Sequence, residues 1–518
     1  MRRRVVIIIA TAAGIISGCM VGPNYERPKV AVEGKFGETG TNIVTNEPTA
    51  NWWKTFNDPE LDKLITEALR TNYNLQIATE RIREARLQRN ITAADLFPNI
   101  DADAGYARAR GSKNVVLPLG GSSGSGSGSG SSGGTGTSKR ASTKLSSSVG
   151  TSSQNDSAFD NQLSPFGKGG LPGVETDLYQ AGFDATWEVD VFGGTRRRVE
   201  AATAQVQSSI EARRNLAVTL LAEVARNYLE FRGTQRRLAI AKENLGAQRE
   251  IVELTQSRQK SGLATDLDVA QAATQAATTS ATIPPLEFDV KRLIHALSIL
   301  LAREPNALAS ELEMTNRPFA TAPKVPVGLP SQLLERRPDI RQAERQIAAA
   351  TSDIGVATAD LFPKFALVGT AGLDSTTAEH LFDWESRYFL ISPTVSWRIF
   401  DAGRIKSNIK LQKATRDETV LQYRSAILTA LQEVEDAIVA YSTEQTRRDE
   451  LSEALAQSRD TVALARQQYE HGLATFLNVL DAERTVFSAQ DALAQSTQAV
   501  STDVVAIYKA LGGGWGKE

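Results

Sequence analysis

An eight-residue stretch occurs twice, 210 residues apart, and limits the fold more than any other feature: Gly262-Leu263-Ala264-Thr265-Asp266-Leu267-Asp268-Val269 returns as Gly472-Leu473-Ala474-Thr475-Phe476-Leu477-Asn478-Val479. Each copy interrupts a long apolar-periodic run and reads as a tight turn between two helices. Upstream of the first, Ile210, Ala217, Val224, Phe231, Leu238, Leu245 and Val252 recur every seven residues; the positions 210 further on are Val420, Ile427, Val434, Tyr441, Arg448, Leu455 and Val462. A sustained seven-residue period marks helices packed in a coiled-coil manner, so the chain carries a duplicated helical hairpin. A descending helix from about Thr195 to Lys260 would be roughly 100 Å long. Gly262 and Gly472 sit where a helix must end in the left-handed conformation, and Thr265 and Thr475 fit the N-cap of the returning helices.

A second repeat has a different offset. Ala94-Asp95-Leu96-Phe97-Pro98 returns 265 residues later as Ala359-Asp360-Leu361-Phe362-Pro363, whereas Trp187 and Trp397 are back in the 210 register. The excess falls within 99–186, which holds the Gly/Ser tract Gly120 to Gly136, a composition expected to form a flexible loop. Beside that loop the period becomes two. Tyr179, Ala181, Phe183, Ala185, Trp187, Val189 and Val191 alternate with polar and acidic residues; Phe389, Ile391, Pro393, Val395, Trp397 and Ile399 do the same with Leu390 interrupting, and Ile100 to Tyr106 and Phe365 to Ala371 are fainter partners. Four strands with one apolar and one polar face cannot close alone. A membrane tolerates no open sheet edge, so the favoured reading is that several copies share one transmembrane barrel; the alternative, a soluble sandwich, would turn the apolar face toward a second sheet that four strands do not supply.

The remaining helices complete two equivalent halves. Trp52-Trp53 lead into a helix from 60 to 96; after the first turn a helix climbs from Thr265 to about Ala302, bent or broken at Ile283-Pro284-Pro285, and another runs from Ser331 to Leu361. The second half descends over 404–470 and ascends from Thr475 to about Leu511. The expected organisation is therefore a signal peptide (1–18), an extended N-terminal segment (19–50), a first repeat (51–303) with strands near 99–110 and 178–191, loop 111–177 and tip 261–266, and an equatorial linker (304–330). A second repeat (331–511) with strands near 364–374 and 387–400 and tip 471–476 follows, then a tail (512–518). The fold class is mostly α with a small β part.

A formal net charge of -2 and a pI near 6.1 argue against nucleic acid as a partner. His295, His380 and His471 share no ligand spacing with the single cysteine, so no metal site is expected. That cysteine, Cys19, follows Arg2-Arg3-Arg4, the apolar run Val5 to Ile16, and Ser17-Gly18. A basic start, a short apolar run and small residues make a secretory signal. The arrangement resembles the bacterial lipobox, which implies that Cys19 carries a diacylglycerol and an N-acyl chain as the mature N-terminus. Methionine at position 20 implies outer-membrane sorting. No other segment is apolar enough for a transmembrane helix.

Taken in order, Cys19-Met20-Val21-Gly22-Pro23-Asn24-Tyr25, Trp52-Trp53, Arg337-Pro338-Asp339-Ile340, the two Gly-Leu-Ala-Thr turns and Leu511-Gly512-Gly513-Gly514-Trp515 resemble the lipoprotein, NodT-type branch of the TolC/OprM outer membrane factors. The resemblance implies a homotrimer with a shared twelve-stranded transmembrane β-barrel and a periplasmic α-barrel, docked by a periplasmic adaptor that links it to an inner-membrane pump of RND type. It also implies roles at the tips. Asp481, nine after the second glycine, matches a ring of carboxylates at the tunnel's narrow end, and Leu477 matches a constricting leucine. Asn478 stands where relatives with two acidic rings have a second carboxylate. Asp268 and Tyr469 match residues that tie helices together in the closed state, and Gly262, Leu263, Gly472 and Leu473 are the expected adaptor footprint.

Other classes fit less well. No clustered nucleophile and base, phosphate loop or metal spacing supports an enzyme. A trimeric coiled-coil envelope lipoprotein would explain heptads and lipidation but not two amphipathic hairpins. A passive porin needs a barrel but no rod of roughly 100 Å.

Overall fold

Two helices of 67 residues and two of 35 carry most of the chain, in the order the duplication requires. In the computed structural model the described residues are 20–30, 37, 43–44, 51–110, 175–313, 325–326 and 330–514. Cys19, the signal segment, nearly all of the Gly/Ser loop and Trp515 lie outside them. Among the described residues no helix is long and apolar enough to cross a membrane.

The chain divides into a helical unit, Met1–Ala94, Val191–Phe362 and Arg398–Glu518, and a sheet unit, Asp95–Asp190 and Pro363–Trp397. In the helical unit α1 (Pro59–Thr71) and α2 (Tyr73–Ala94) precede the long α3 (Gly194–Lys260), which turns into α4 (Asp266–Leu300). Short α5 (Ala309–Glu313) and α6 (Pro330–Arg336) lead to α7 (Pro338–Ala359); α8 (Arg404–Glu470) and α9 (Phe476–Ala510) form the second hairpin. Helix α7 lies against both α3 and α8, and α9 lies against α8 and α3, so the hairpins share one body. The heptad positions face inward: Val224, Phe231, Val434 and Tyr441 are buried in a common core with Trp52, Leu61, Leu64 and Tyr508.

Three helix boundaries differ from expectation. The helix expected over 60–96 is two helices, because Asn72 leaves the helical conformation and caps α2, its Oδ1 accepting from the N–H groups of Asn74 and Leu75. Its amide donates to the Leu300 carbonyl at 2.8 Å, which seats the break against the end of α4. The helix expected over 331–361 is divided at Arg337, whose backbone is extended because Pro338 follows. Conversely, α4 runs unbroken through Pro284-Pro285, where Leu286 and Val290 are buried just beyond the prolines. The linker is not featureless either: besides α5 it pairs Val325–Pro326 in parallel with Ile43–Val44.

The N-terminal segment runs along the outside of the helices, as its composition suggests. Val21 donates to the Phe192 carbonyl, Tyr25 to Glu344 Oε1 at 3.0 Å, and Arg27 pairs with Glu344. Arg197, 2% exposed, holds the strap by donating to the carbonyls of Val21 and Gly22 and to Asn24 Oδ1, while its fourth partner is Glu200.

Asp503 on α9 is an uncomfortable charge. Burial first, then the neighbouring Glu444 on α8, push its carboxyl up to about 6. The folded chain thus holds a proton that the unfolded chain loses near pH 4, and stability falls as pH rises through that window. Asp503→Asn should stabilise the protein at pH 7 by about 1–2 kcal/mol and leave it unchanged at pH 3.5; denaturant unfolding at the two pH values checks this.

The sheet unit is antiparallel, ordered β1 (Asn99–Arg110), β2 (Glu175–Val189), β3 (Lys364–Ser375), β4 (Arg387–Ser396). Its register places Tyr106 opposite Tyr179, Phe183 opposite Ala371, Trp187 opposite Leu367 and Ala371 opposite Phe389, so the apolar residues share one face. Asp101 opposite Asp184 and Gln180 opposite Asp374 mark the polar face. β2 begins earlier than expected because Glu175 and Asp177 pair with Arg108 and Arg110 across the ladder. β4 ends at Ser396 because its partner strand starts at Lys364, opposite it. Within one chain β1 and β4 have bare outer edges.

Candidate functional site: the paired helical tips

Both tips are built by the same backbone device. At the end of α3 Gly262 adopts φ +76, its N–H reaches the Gln259 carbonyl and that of Leu263 reaches Arg258; at the end of α8 Gly472 adopts φ +74, bonding Tyr469, and Leu473 bonds Gln468. These pairs of bonds are Schellman closures, which only a residue at ease in the left-handed region can make. Nothing lies within contact of a Cβ at either glycine, so both turns are open to solvent. Leu263 and Leu473, 69% and 80% exposed, stand bare at the ends.

The returning helices differ. At α4 Thr265 and Asp268 form a reciprocal capping box, Asp268 Oδ2 accepting from the Thr265 N–H and hydroxyl while Thr265 Oγ1 accepts from the Asp268 N–H. Asp268 is therefore occupied within its own turn. At α9 Thr475 is the N-cap by position, yet its side chain caps no backbone N–H; its hydroxyl lies 3.4 Å from Asn478 Oδ1. The second tip lacks the box that fastens the first.

Packing compensates through Phe476, which stands where the first copy has Asp266. Phe476 and Leu480 bury against Ala272 of α4 with Ile251 and Val252 of α3, and Tyr469 packs against Phe476 at 5.7 Å. Arg258, at the end of α3, lies over the Tyr469 ring at 4.6 Å. Tyr469 thus meets the other hairpin of its own chain through a cation–π contact, worth about 0.5–2 kcal/mol. Beneath it Glu483 is buried; burial pushes its carboxyl up, and the two hydrogen bonds from Arg466, 2.7 and 3.1 Å, draw it back.

The opposite face of α9 carries the gate candidates. Leu477, 47% exposed, and Asp481, its side chain 63% exposed, are one turn apart and point away from the packed cluster. Asn478 is exposed beside them, and Arg484 Nη1 lies 3.9 Å from Asp481. Leu477, Asn478 and Asp481 lie on this one helix, whereas Arg258, Phe476, Glu483 and Arg484 were not singled out from the sequence. Phe476 was signalled by the break in the duplication and Arg484 by its spacing of three; a cation from another helix left no local trace. Among the described residues no His, Cys, Asp or Glu group could hold a metal.

The family model described as outer membrane efflux protein matches residues 64–302 and 329–513. The chain is similar to a probable efflux pump outer membrane protein, TtgC, of Pseudomonas putida, 30% identical over 98% of this chain and 95% of that one. It is similar to the pyoverdine export outer membrane protein OpmQ of Pseudomonas aeruginosa, 31% identical over 90% and 87%. The solved outer-membrane channel OprN superposes with a TM-score of 0.81 at 31% identity, covering 96% of this chain and all of that one.

Proposed function

The chain belongs to the outer membrane efflux protein family, and from that premise we propose that its tips are the periplasmic gate of an efflux duct. The protein is an outer-membrane channel: three copies share one barrel and one helical tunnel, working with a periplasmic adaptor and an inner-membrane pump. Its relatives are transport channels rather than enzymes.

The observation that carries the gate is the two-sidedness of α9. One side of its first turns is fastened to its own chain by Phe476 and Leu480, while the other presents Leu477 and Asp481 with Arg484 alone at 3.9 Å. Around a threefold axis that free face brings three leucines and three carboxylates to a narrow ring, where like charges repel and a cation is bound readily. Asn478 in place of a second carboxylate, and Arg484 3.9 Å from the first, reduce the ring's negative charge and with it its preference for cations. Asp268 closes its own turn, and the tie between hairpins runs from Tyr469 to Arg258. The bare Leu263 and Leu473, raised on Gly262 and Gly472, are apolar knobs for the adaptor, which opens the tips only in so far as it binds the open state better. Cys19 carries the lipid, two residues in sequence before Val21, the first residue that Arg197 holds.

Planar-bilayer conductance tests the gate. The native trimer should pass a small current, and Leu477→Ala with Asp481→Ala should raise it several-fold. A large native conductance indifferent to the pair would place the constriction elsewhere. Arg258→Gln should raise the current less, by loosening one tie of several; unchanged current would leave Tyr469 without a gating role.

A further inference from the structure

We propose that the β3–β4 turn is a lipid anchor, in which Trp384 and Phe382 sit in the interfacial layer of the outer leaflet and Arg387 takes the phosphate of a lipid headgroup. The inference rests on the outer-membrane placement of the sheet and on the geometry of the turn itself.

The strand ends at Arg110, Glu175, Ser375 and Arg387 are those remote in the chain from the helices, hence the outer rim. Along β2 the apolar face runs from Tyr179 to Val189, a rise of roughly 33 Å along the strand and about 25 Å once tilted, the height of an outer-membrane apolar band. Arg387 opens β4 on that same face, opposite Leu373 and in phase with Phe389 and Ile391. It therefore stands at the upper margin of the band. The Trp384 ring lies 3.8 Å from the Arg387 guanidinium, which fixes the indole on the lipid side as well.

This turn is tied, not loose. His380 Nδ1 lies 2.7 Å from Asp383 Oδ2, the His380 carbonyl accepts from Ser386 Oγ and the Asp383 N–H, and the Ser386 N–H reaches the Asp383 carbonyl. Phe382 and Trp384 are nonetheless 79% and 73% exposed. Two large rings held bare by a tied turn, in line with an apolar face, match the membrane interface, where such side chains concentrate.

Charge selects the headgroup. At the same rim Arg108 and Arg110 are spent on Glu175 and Asp177. Within one chain, among the described residues, Arg387 has the indole as its neighbour and forms no ion pair with a carboxylate. A guanidinium positioned by an aromatic face keeps its donors for an external anion, and phosphate is the anion that its fork suits. Glu379 and Glu385 on the turn remove any general positive field, so attraction is local to Arg387.

The test uses the full-length trimer in phosphatidylcholine nanodiscs doped with phosphatidic acid, with bound lipid counted by native mass spectrometry. The native protein should retain phosphatidic acid; Arg387→Gln and Trp384→Ala should lower retention roughly tenfold, the loss of one charge-assisted contact, and Arg108→Gln should not. Equal retention by Arg387→Gln overturns the proposal, as does displacement of the lipid by inorganic phosphate, which would make this a free-anion site. Bilayer conductance of the same variants reports separately whether the channel is formed.

Discussion

Arg197→Ala should release the N-terminal strap, speeding hydrogen exchange at the Val21 amide by about 100-fold, the equivalent of roughly 3 kcal/mol of local opening free energy. The size follows from what the side chain holds. Arg197 is buried, and its guanidinium spans the carbonyls of Val21 and Gly22 at 3.1 and 3.4 Å and Asn24 Oδ1 at 2.7 Å. Hydrogen bonds from a charged donor contribute about 1.5–3 kcal/mol each, and Glu200, the remaining partner, is exposed enough to stay solvated without it. Beneath the strap the fit is equally close. Gly22 has φ +90, and a Cβ there would lie 2.5 Å from the Gly355 Cα, so Gly22→Ala should release the same segment by a steric route. Val21 donates to the Phe192 carbonyl and is the reporter amide. Arg197→Lys keeps the charge but not the fork and should fall between. Native-like protection in Arg197→Ala would mean that Tyr25 and Arg27, through Glu344, suffice to hold the strap.

The sequence motif Val21-Gly22-Pro23-Asn24-Tyr25 was legible only as a mark of resemblance, since its partners Arg197, Glu344 and Gly355 come from two other helices. By contrast, the long helices were readable almost to the residue. Their glycine stops enforce left-handed backbone, and their seven-residue period survives because one side of each helix is buried, at Val224, Phe231 and Leu245 in the first and at Val434, Tyr441 and Leu455 in the second. What failed to show was decided by tertiary partners. Asn72 breaks a helix because the Leu300 carbonyl is there to receive its amide. Pro284-Pro285 do not break one, where Leu286 and Val290 are buried just beyond them. At the tips the duplication carried the turns and the spacing carried the shared face of Leu477 and Asp481, but the contact of Arg258 with Tyr469 joins residues 211 apart and has no periodic signature.

Trp52→Ala should be the most damaging single change in the helical unit, lowering stability by about 3–5 kcal/mol, because that ring joins the start of the helical unit to Tyr508 and Gly513 at the end of α9. Trp52 is 1% exposed, stacks on Tyr508 of α9 with centroids 5.0 Å apart and meets Trp53 and Phe56 edge-on. The C-terminal glycines close over it: a Cβ on Gly513 would lie 3.2 Å from Trp52 Cδ1, and one on Gly514, at φ +111, would lie 2.5 Å from Leu221 Cδ1. Next to them Arg337 donates to the Ala510 carbonyl and pairs with Asp339 and Glu433, drawing the start of α7 and the middle of α8 to the end of α9. The Trp52 indole N–H makes no hydrogen bond, so Trp52→Phe loses ring area but no polar partner and should cost about 1–2 kcal/mol. Gly514→Val should resemble Trp52→Ala in direction, through backbone strain and the Leu221 clash. Denaturant unfolding followed by circular dichroism at fixed protein concentration separates these cases, with the exposed Trp384→Ala as the tryptophan loss that leaves the midpoint where it was. A midpoint for Trp52→Ala equal to that control would mean that the two ends of the chain are held by the Arg337 ion pairs alone, and Arg337→Met would then take the place of Trp52→Ala as the variant that uncouples α7, α8 and α9.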